Sequence, residues 1–256
     1  MADRARYLYA IARGLDATAL DARGIDDAPL DVVTHRGLDA VVSDVDLAEF
    51  DEEGLKRNLE DLAWLEKVAR RHDEVVNAVA RLAPTAPLRL ATICLADSGV
   101  RRRLDEWHDA LTTALDRVEG RSEWSVKLVA PPRESSSGTA SADATREPGA
   151  GAAYLKRRKA ETEHRARAEE EALARADEVY ERLSKVAVAG RRLSPQDPRL
   201  SGLTGTMTLN AAFLVEDDDA DAFRSVVDEI TAGAPEGSVL VAGPWPPYSF
   251  ATLDQQ

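Results

Sequence analysis

Two apolar runs near the start of the chain are separated by only two residues, and this spacing limits the folds that it can adopt. Residues 30–35 and 38–45 both contain Leu and Val, and Arg36-Gly37 lies between them. So short a connection joins strands as an antiparallel hairpin, because parallel strands need a crossover of a dozen or more residues. The chain therefore contains an antiparallel sheet and is not an all-helical protein.

Other periodic segments predict further strands and amphipathic helices around this hairpin. Strands are expected where apolar residues alternate or run together, at 5–12, 88–94, 123–130, 186–189, 206–215 and 239–242. One helix is expected at 55–82, with Leu55, Leu59 and Leu62 in its buried stripe, and others at 100–118, capped by Asp97 or Ser98, and after Asp217. The predicted fold class is α+β.

The most highly charged segment, 154–183, is predicted to be one long helix. Acids precede bases by four residues, as in Glu161–Arg165 and Glu171–Arg175, which is the favourable helical order. Apolar residues are sparse in its first half, which indicates a solvated face or a coiled-coil arm against another chain. The segment before it, 131–150, is rich in Ser, Ala and Gly and is predicted to be a flexible insert.

The order of these elements predicts two domains. Residues 1–120 give a strand, a hairpin, a helix, a strand and a helix, which indicates a ferredoxin-like domain whose first helix is reduced to the 16–27 loop. Residues 121–256 give a strand, the long charged helix, two strands, a helix and a strand, which is the order of a split βαβ domain. The boundary is placed near Gly120 because the second domain needs 123–130 as its first strand.

Charge and cysteine content restrict the possible partners and location. The formal net charge of −13 disfavours binding to nucleic-acid phosphate and to anionic membranes. The single cysteine, Cys94, precludes an internal disulfide and fits a reducing compartment. The sequence shows neither a signal peptide nor a run of apolar residues long enough to span a membrane. We therefore expect a cytoplasmic protein with no nucleic-acid or membrane partner.

Motifs for cofactor or metal chemistry are missing from the sequence. It contains no Gly-x-Gly-x-x-Gly or Walker loop, no cysteine pair and no pair of histidines three or four residues apart, so neither a cofactor nor a metal is predicted. A catalytic hypothesis remains, in which Cys94 acts with His72 or His108 on a ferredoxin-like scaffold. The position of His72 on the apolar side of its helix favours a core histidine instead. A further alternative is a general coiled-coil adaptor acting through 154–183.

The aromatic residues near the C-terminus form the most distinctive local pattern. Trp245, Tyr248 and Phe250 lie within six positions and alternate with Pro244, Pro246 and Pro247. Because prolines stiffen the backbone and remove N–H donors, the segment is expected to hold its aromatic rings in a fixed, extended array. It either folds back to close its own domain or presents Trp245, Tyr248 and Phe250 to a partner chain.

Six segments together carry a family resemblance. They are Tyr-Leu-Tyr-Ala-Ile-Ala at 7–12, Leu-Asp-Ala-Val-Val-Ser at 38–43, His-Asp-Glu-Val-Val at 72–76, Ala-Pro-Leu-Arg-Leu-Ala-Thr-Ile at 86–93, Glu-Trp-Ser-Val-Lys at 123–127 and Gly-Pro-Trp-Pro-Pro-Tyr-Ser-Phe at 243–250. In this order, and over nearly the whole chain, they resemble the GvpF/GvpL family of gas vesicle accessory proteins. Leu90 and Ala91 depart from the pattern, since the family commonly has Phe and Gly there.

The resemblance implies a non-enzymatic role and a two-domain fold with a ferredoxin-like N-terminal domain. Proteins of this family look like minor vesicle components or assembly factors, located in the cytoplasm and at the gas vesicle. Their implied partners are the hydrophobic shell protein and other gas vesicle accessory proteins. We expect the second domain and its aromatic tail to contact the shell protein, which would limit shell-protein aggregation during nucleation. We expect the 154–183 helix to recruit the other accessory proteins.

Overall fold

A computed structural model describes residues 4–130, 150–195 and 205–251 and shows the predicted mixture of helices and strands. Two compact units divide the chain. The first unit comprises Met1–Trp124, Leu214–Asp217 and Gly243–Gln256, and the second comprises Ser125–Phe213 and Asp218–Ala242. The predicted domain boundary near Gly120 stays a prediction, because it concerns domains that fold independently. The predicted insert at 131–150 lies outside the described residues except for Ala150, which begins a helix.

An antiparallel sheet forms the centre of the first unit. Its strands are β1 Arg4–Ala12, β2 Leu30–His35, β3 Leu38–Asp46, β4 Thr85–Pro87 and β5 Ile93–Cys94. The order is β2-β3-β1-β4, and β5 also pairs with β1. The predicted hairpin is confirmed, because β2 and β3 pair up to His35 opposite Leu38. Arg36 and Gly37 both have positive φ, 51° and 78°, as a two-residue hairpin turn requires.

The core of the first unit lies between this sheet and a helix that follows it. Strand β1 is central, and its residues from Tyr7 to Ala12 are all buried. Tyr7 and Tyr9 pack with Phe50 and with Val76 of the helix in one apolar cluster. Such near-continuous burial explains why β1 reads as an apolar run rather than as an alternating pattern.

The single helix predicted at 55–82 is wrong, because the chain breaks it between Asn58 and Leu62. The structure has α1 Leu47–Phe50, α2 Glu52–Asn58 and α3 Leu62–Ala80. An aspartate precedes each helix and accepts a backbone N–H of its first turn: Asp46 from Ala48, Asp51 from Gly54, and Asp61 from Ala63 and Trp64. Of the three, Asp61 starts a new helix where the apolar spacing predicts continuation. Leu59 and Leu62, predicted to be buried, are exposed.

The strand predicted at 88–94 is also interrupted. Residues 88–92, between β4 and β5, are not part of either strand. Their two ends stay hydrogen-bonded to β1, because the Leu88 N–H donates to Tyr9 O and the Leu8 N–H donates to Thr92 O. Within this excursion Ala91 adopts φ 61°, which is incompatible with a strand.

The helix predicted at 100–118 is likewise two helices. They are α4 Asp97–Glu106 and α5 His108–Val118, separated at Trp107, whose φ and ψ of −104° and 6° are not helical. The cap is Ala96 rather than Asp97 or Ser98. Asp97 is in the first turn, where its carboxylate accepts a hydrogen bond from Arg6 Nε at 2.8 Å instead of capping the helix.

The remaining elements form a second sheet and its helices. They are β6 Arg121–Ala130, α6 Ala150–Ser184, β7 Ala189–Arg192, β8 Thr206–Glu216, α7 Ala220–Ala232, β9 Val239–Trp245 and α8 Tyr248–Ala251. The sheet order is β7-β8-β6-β9. Strand β7 begins at the last residue of the predicted 186–189 strand. In the core of the second unit, Phe213 packs on Tyr180 and Phe223 with ring centroids 5.5 and 5.7 Å apart.

Among its described side chains, helix α6 packs into the second unit through its last turns. Ala176, Val179 and Leu183 are buried, and Arg182 pairs with Glu229 of α7 at 3.1 Å. The described side chains from 158 to 171 are all exposed. None of the helices, within the residues described, is long and apolar enough to cross a membrane.

Candidate interaction surface

The C-terminal segment enters the first unit at Gly243, where two backbones approach closely. Gly243 has φ 139°, and a Cβ atom there would lie 2.9 Å from the carbonyl oxygen of Glu123 and 3.2 Å from Cα of Trp124. Only glycine fits this contact without displacing backbone. From this point the tail, defined here as residues 243–251, packs against the first unit.

The tail is extended only as far as Trp245, so the predicted extended array is wrong beyond that residue. Residues 248–251 form the helical turn α8, in which the Ala251 N–H donates to Pro247 O. Proline before the first helical residue suits such a turn, because its φ is already near the helical value. The turn brings Tyr248 and Phe250 towards the protein rather than along an outer edge.

Tyr248 and Phe250 are both packed into the first unit. The Tyr248 ring lies against the core cluster that contains Tyr7, and its hydroxyl donates to Asp73 Oδ1 at 3.2 Å. Burial, together with the neighbouring Asp73 carboxylate, raises the pKa of Tyr248 well above its ordinary value, so the hydroxyl stays protonated. Phe250 is 8% exposed.

A buried carboxylate fixes the tail in this position. The two oxygens of Glu123, on β6, accept the Ser249 N–H and the Ser249 Oγ–H, both at 2.7 Å. The negative charge also lies beside the first turn of α8, where backbone N–H groups lack helical partners. This pair could not be predicted from the sequence, because a Glu in a half-buried strand is usually a solvent-facing residue.

Trp245 is the predicted site residue that reaches the surface. Its side chain is 46% exposed, in contrast to Phe250 and to the half-buried Tyr248. It lies beside a cleft of about 330 Å³ within the first unit, which the tail lines with Pro244, Trp245, Pro246 and Pro247 and which α3 lines with Asn77, Ala80 and Arg81. A partly exposed indole is typical of protein interfaces.

Comparison with known proteins identifies the family to which this chain belongs. The family model described as gas vesicle synthesis protein GvpL/GvpF matches residues 5–252. The chain belongs to this family. Gas vesicle protein L from Streptomyces sp. (strain CB03234) is 40% identical to this GvpL/GvpF protein, over 99% of this chain and 95% of that one. Gas vesicle protein F2 from Halobacterium salinarum is 26% identical, over 99% of this chain and 94% of that one.

Solved structures of gas vesicle proteins share the fold. GvpF from Anabaena sp. PCC7120 superposes with a TM-score of 0.66 at 19% identity, covering 98% of both chains. GvpF from Microcystis aeruginosa gives a TM-score of 0.67 at 16% identity, covering 97% of this chain and 99% of that one. The predicted family is thus confirmed, and so is the predicted mixture of helix and strand.

One departure from the family pattern has a structural counterpart. Ala91, where the resemblance predicts Gly, has φ 61°. Its N–H donates to the Tyr7 hydroxyl at 3.0 Å, which holds the backbone in this left-handed conformation. The GvpL/GvpF protein therefore retains a glycine-type backbone with an alanine side chain.

The residues of the catalytic hypothesis are occupied with structural contacts in this GvpL/GvpF protein. His72 is 4% exposed, with Nε2 3.1 Å from Leu88 O and Nδ1 3.0 Å from the Tyr7 hydroxyl. Because a carbonyl can only accept, Nε2 carries the proton and Nδ1 accepts from Tyr7. Both ring nitrogens are engaged in these bonds, and neither is directed to Cys94, which is buried at the end of β5.

Burial of His72 determines its protonation state. Desolvation lowers its pKa to about 4, against opposing contributions from the Leu88 hydrogen bond and the Asp73 charge. The imidazole is therefore neutral near pH 7. This matches the core histidine that the sequence pattern favours.

Proposed function

We propose that this chain is a non-enzymatic accessory protein of gas vesicle assembly that binds the hydrophobic shell protein and other gas vesicle accessory proteins. It acts in the cytoplasm and at the vesicle, as a minor component or assembly factor, and limits aggregation of the shell protein during nucleation. The observation that carries this proposal is the family match over residues 5–252, supported by a relative named gas vesicle protein L at 40% identity.

Trp245 is the residue that we propose for contact with the shell protein. Tyr248 and Phe250, predicted together with it, support the surface from beneath, because they hold the tail against the first unit. An exposed indole beside a proline-lined cleft loses unfavourable contact with water when an apolar segment covers it. The net charge of −13 keeps copies of the protein apart while this apolar site is open.

A pull-down with shell protein tests this contact. Truncation after Ala242 is an ambiguous variant, because it removes Tyr248 and Phe250 from the core along with Trp245. Trp245→Ala changes only an exposed side chain, and we expect it to reduce capture by about tenfold. Val188→Ala, at another exposed apolar side chain, is the matched control and should retain wild-type capture. Equal capture by the two variants would exclude Trp245 from the contact.

The exposed part of α6 is our proposal for recruiting other accessory proteins. The described side chains from 158 to 171 are all exposed, and acid–base pairs such as Lys159–Glu163, at 3.8 Å, lie along the helix. An exposed helix of this kind is available to pair with a second helix. The same feature supports the alternative of a general coiled-coil adaptor.

Gene deletion distinguishes the gas vesicle role from that of a general coiled-coil adaptor. Loss of buoyant, light-scattering vesicles on deletion, restored by the wild-type gene, supports the gas vesicle role. Normal vesicles in the deletion strain would favour the general adaptor.

We also propose that both sheets are of the ferredoxin-like, split βαβ type. The support is the strand order: in each sheet the first strand lies between the third and the fourth, with the second at the edge. In the first unit the crossover helix between β1 and β2 is reduced to the 3-10 turns Ala17–Ala19 and Ile25–Asp27.

A further inference from the structure

Two neighbouring leucines of the first unit are exposed at the turn between α2 and α3. Leu59 is 52% exposed and Leu62 is 78% exposed, and we refer to them as the leucine pair. The turn is closed by the Asp61 N–H, which donates to Asn58 O at 3.0 Å. Since Asp61 also caps α3, the backbone that presents the leucine pair is fixed by hydrogen bonds on both sides of the turn.

The leucine pair contributes nothing to the core of its own unit. Leu55 and Trp64, on either side, do pack against the core cluster, whereas Leu59 and Leu62 do not. A strongly exposed leucine is common when it stands alone, but two within four residues of one turn place exposed apolar surface in one region, as at many interaction sites. The pair is also distinct from the Trp245 surface, which lies on another element.

The chain segment that carries the leucine pair is strongly acidic. Residues 46–66 contain eight carboxylates and two basic side chains, Lys56 and Arg57. Lys56 is already paired with Glu52 at 2.7 Å. Within the described residues, the exposed Glu53 and Glu60 have no salt-bridge partner. The segment therefore combines two exposed leucines with an excess of negative over positive charge.

We propose that the leucine pair docks a basic amphipathic helix of a partner protein. The apolar stripe of such a helix would cover Leu59 and Leu62, and Lys or Arg residues flanking the stripe would face Glu53 and Glu60. The net negative charge of the segment disfavours an acidic helix and speeds the encounter with a basic one. This inference deepens the proposed function, because it gives the chemistry of one partner of the accessory protein.

Two synthetic helices test the proposal with the full-length chain. Both are about 18 residues long with the same leucine stripe, and the polar face is Lys in one and Glu in the other. Binding is measured by calorimetry at about 0.15 M salt. We expect the Leu/Lys peptide to bind and the Leu/Glu peptide not to bind. Equal binding of both peptides would overturn the proposal.

Variants locate the site. The double variant Leu59→Ser with Leu62→Ser should weaken binding of the Leu/Lys peptide by about tenfold, and Leu62→Ser alone by a smaller factor. Leu173→Ser, at another exposed leucine, should stay within about twofold of wild type. The pair Glu53→Gln with Glu60→Gln should weaken binding by several-fold. If the serine double variant keeps wild-type affinity, attraction to the acidic chain as a whole explains the binding and the proposal is wrong.

These results are independent of the vesicle phenotype. Thermal melts of the serine variants check that they are folded, which the exposure of both leucines leads us to expect. A protein that fails the peptide test but restores vesicles in the deletion strain leaves the proposed function intact. A protein that passes the peptide test but is not needed for vesicles retains the docking site and loses the proposed function.

Discussion

At the scale of single residues, the backbone at Ala91 carries a conformational cost that the family's glycine would not. An L-residue in the left-handed region costs about 1–2 kcal/mol, partly offset by the lower entropy of alanine in the unfolded chain. We therefore expect Ala91→Gly to raise the free energy of unfolding by about 0.5–1 kcal/mol. The hydrogen bond from residue 91 N–H to Tyr7 is retained, and urea denaturation measures the change.

The same substitution elsewhere provides the control. Ala63 lies in the first turn of α3 with an exposed side chain, where glycine costs up to about 1 kcal/mol. Ala63→Gly should therefore destabilise the protein while Ala91→Gly stabilises it. Two changes of the same sign would show that residue 91 is not strained.

The buried His72 makes the stability of the first unit sensitive to pH. Its pKa falls from 6.5 to about 4 on folding, so between these values the unfolded chain binds more protons. Stability is then present above pH 6.5 and is lost as the pH falls towards 4, by about 3 kcal/mol from this group. His72→Gln keeps a donor for Leu88 and an acceptor for Tyr7 but cannot titrate. Denaturation curves at several pH values should show a shallower loss for this variant, and parallel curves would contradict the assignment.

The sequence predicts the role of a residue where that role follows from the spacing of apolar residues along one helix. The valines that recur beside His72 on the same helical face predict that it lies in the core, and the structure confirms this, with His72 4% exposed. The bond between Glu123 and Ser249 could not be predicted, because it joins residues that are 126 positions apart. The sequence identifies the three tail aromatics as a group. Their different exposures depend on the α8 turn, which the bond between Glu123 and Ser249 supports.

At the scale of elements, the tail depends on one carboxylate. Replacing Glu123 by Ala leaves the Ser249 N–H and Oγ–H without their acceptor in a half-buried site, which costs about 2 kcal/mol or more. We expect Glu123→Ala to lower stability by that amount and to speed hydrogen exchange at the amides of 248–251.

A milder substitution shows whether the carboxylate acts on the backbone. Ser249→Ala loses the hydroxyl bond but keeps the bond from the N–H, so its cost should be about 1 kcal/mol, with less change in exchange. If both variants behave alike, Glu123 does not hold the α8 backbone.

Element types were predictable, whereas their continuity was not. The apolar spacing of 55–82 is helical on both sides of the break, but Asp61 accepts two backbone N–H groups and begins a new helix there. The long charged helix is predicted from its acid–base pairs four residues apart, and α6 Ala150–Ser184 extends beyond the predicted 154–183 at both ends. Whether a helix continues depends on short polar residues that can cap a new helix, and the pattern of apolar residues does not reveal them.

At the scale of the whole molecule, the predicted domain boundary can be tested with fragments. A fragment of residues 1–120 lacks Glu123 and the tail, although Tyr248 packs against the core of the first unit. We expect this fragment to be less stable than the first unit in the full chain. Addition of a synthetic peptide of residues 239–251 should not rescue it, because Glu123 is missing, whereas it should stabilise a fragment of 1–130. Circular dichroism melts compare the fragments, and a fully stable 1–120 fragment would support the boundary near Gly120.

Completion of the first unit by residues 243–251 also sets an order of events during synthesis. Strand β1 leaves the ribosome early, yet the ring of Tyr248 that covers part of its core is made more than two hundred residues later. At about 5–20 residues per second the nascent chain waits about ten to fifty seconds with that apolar surface open. Chaperones that bind nascent polypeptides therefore have a defined interval in which to act, which closes when the tail emerges.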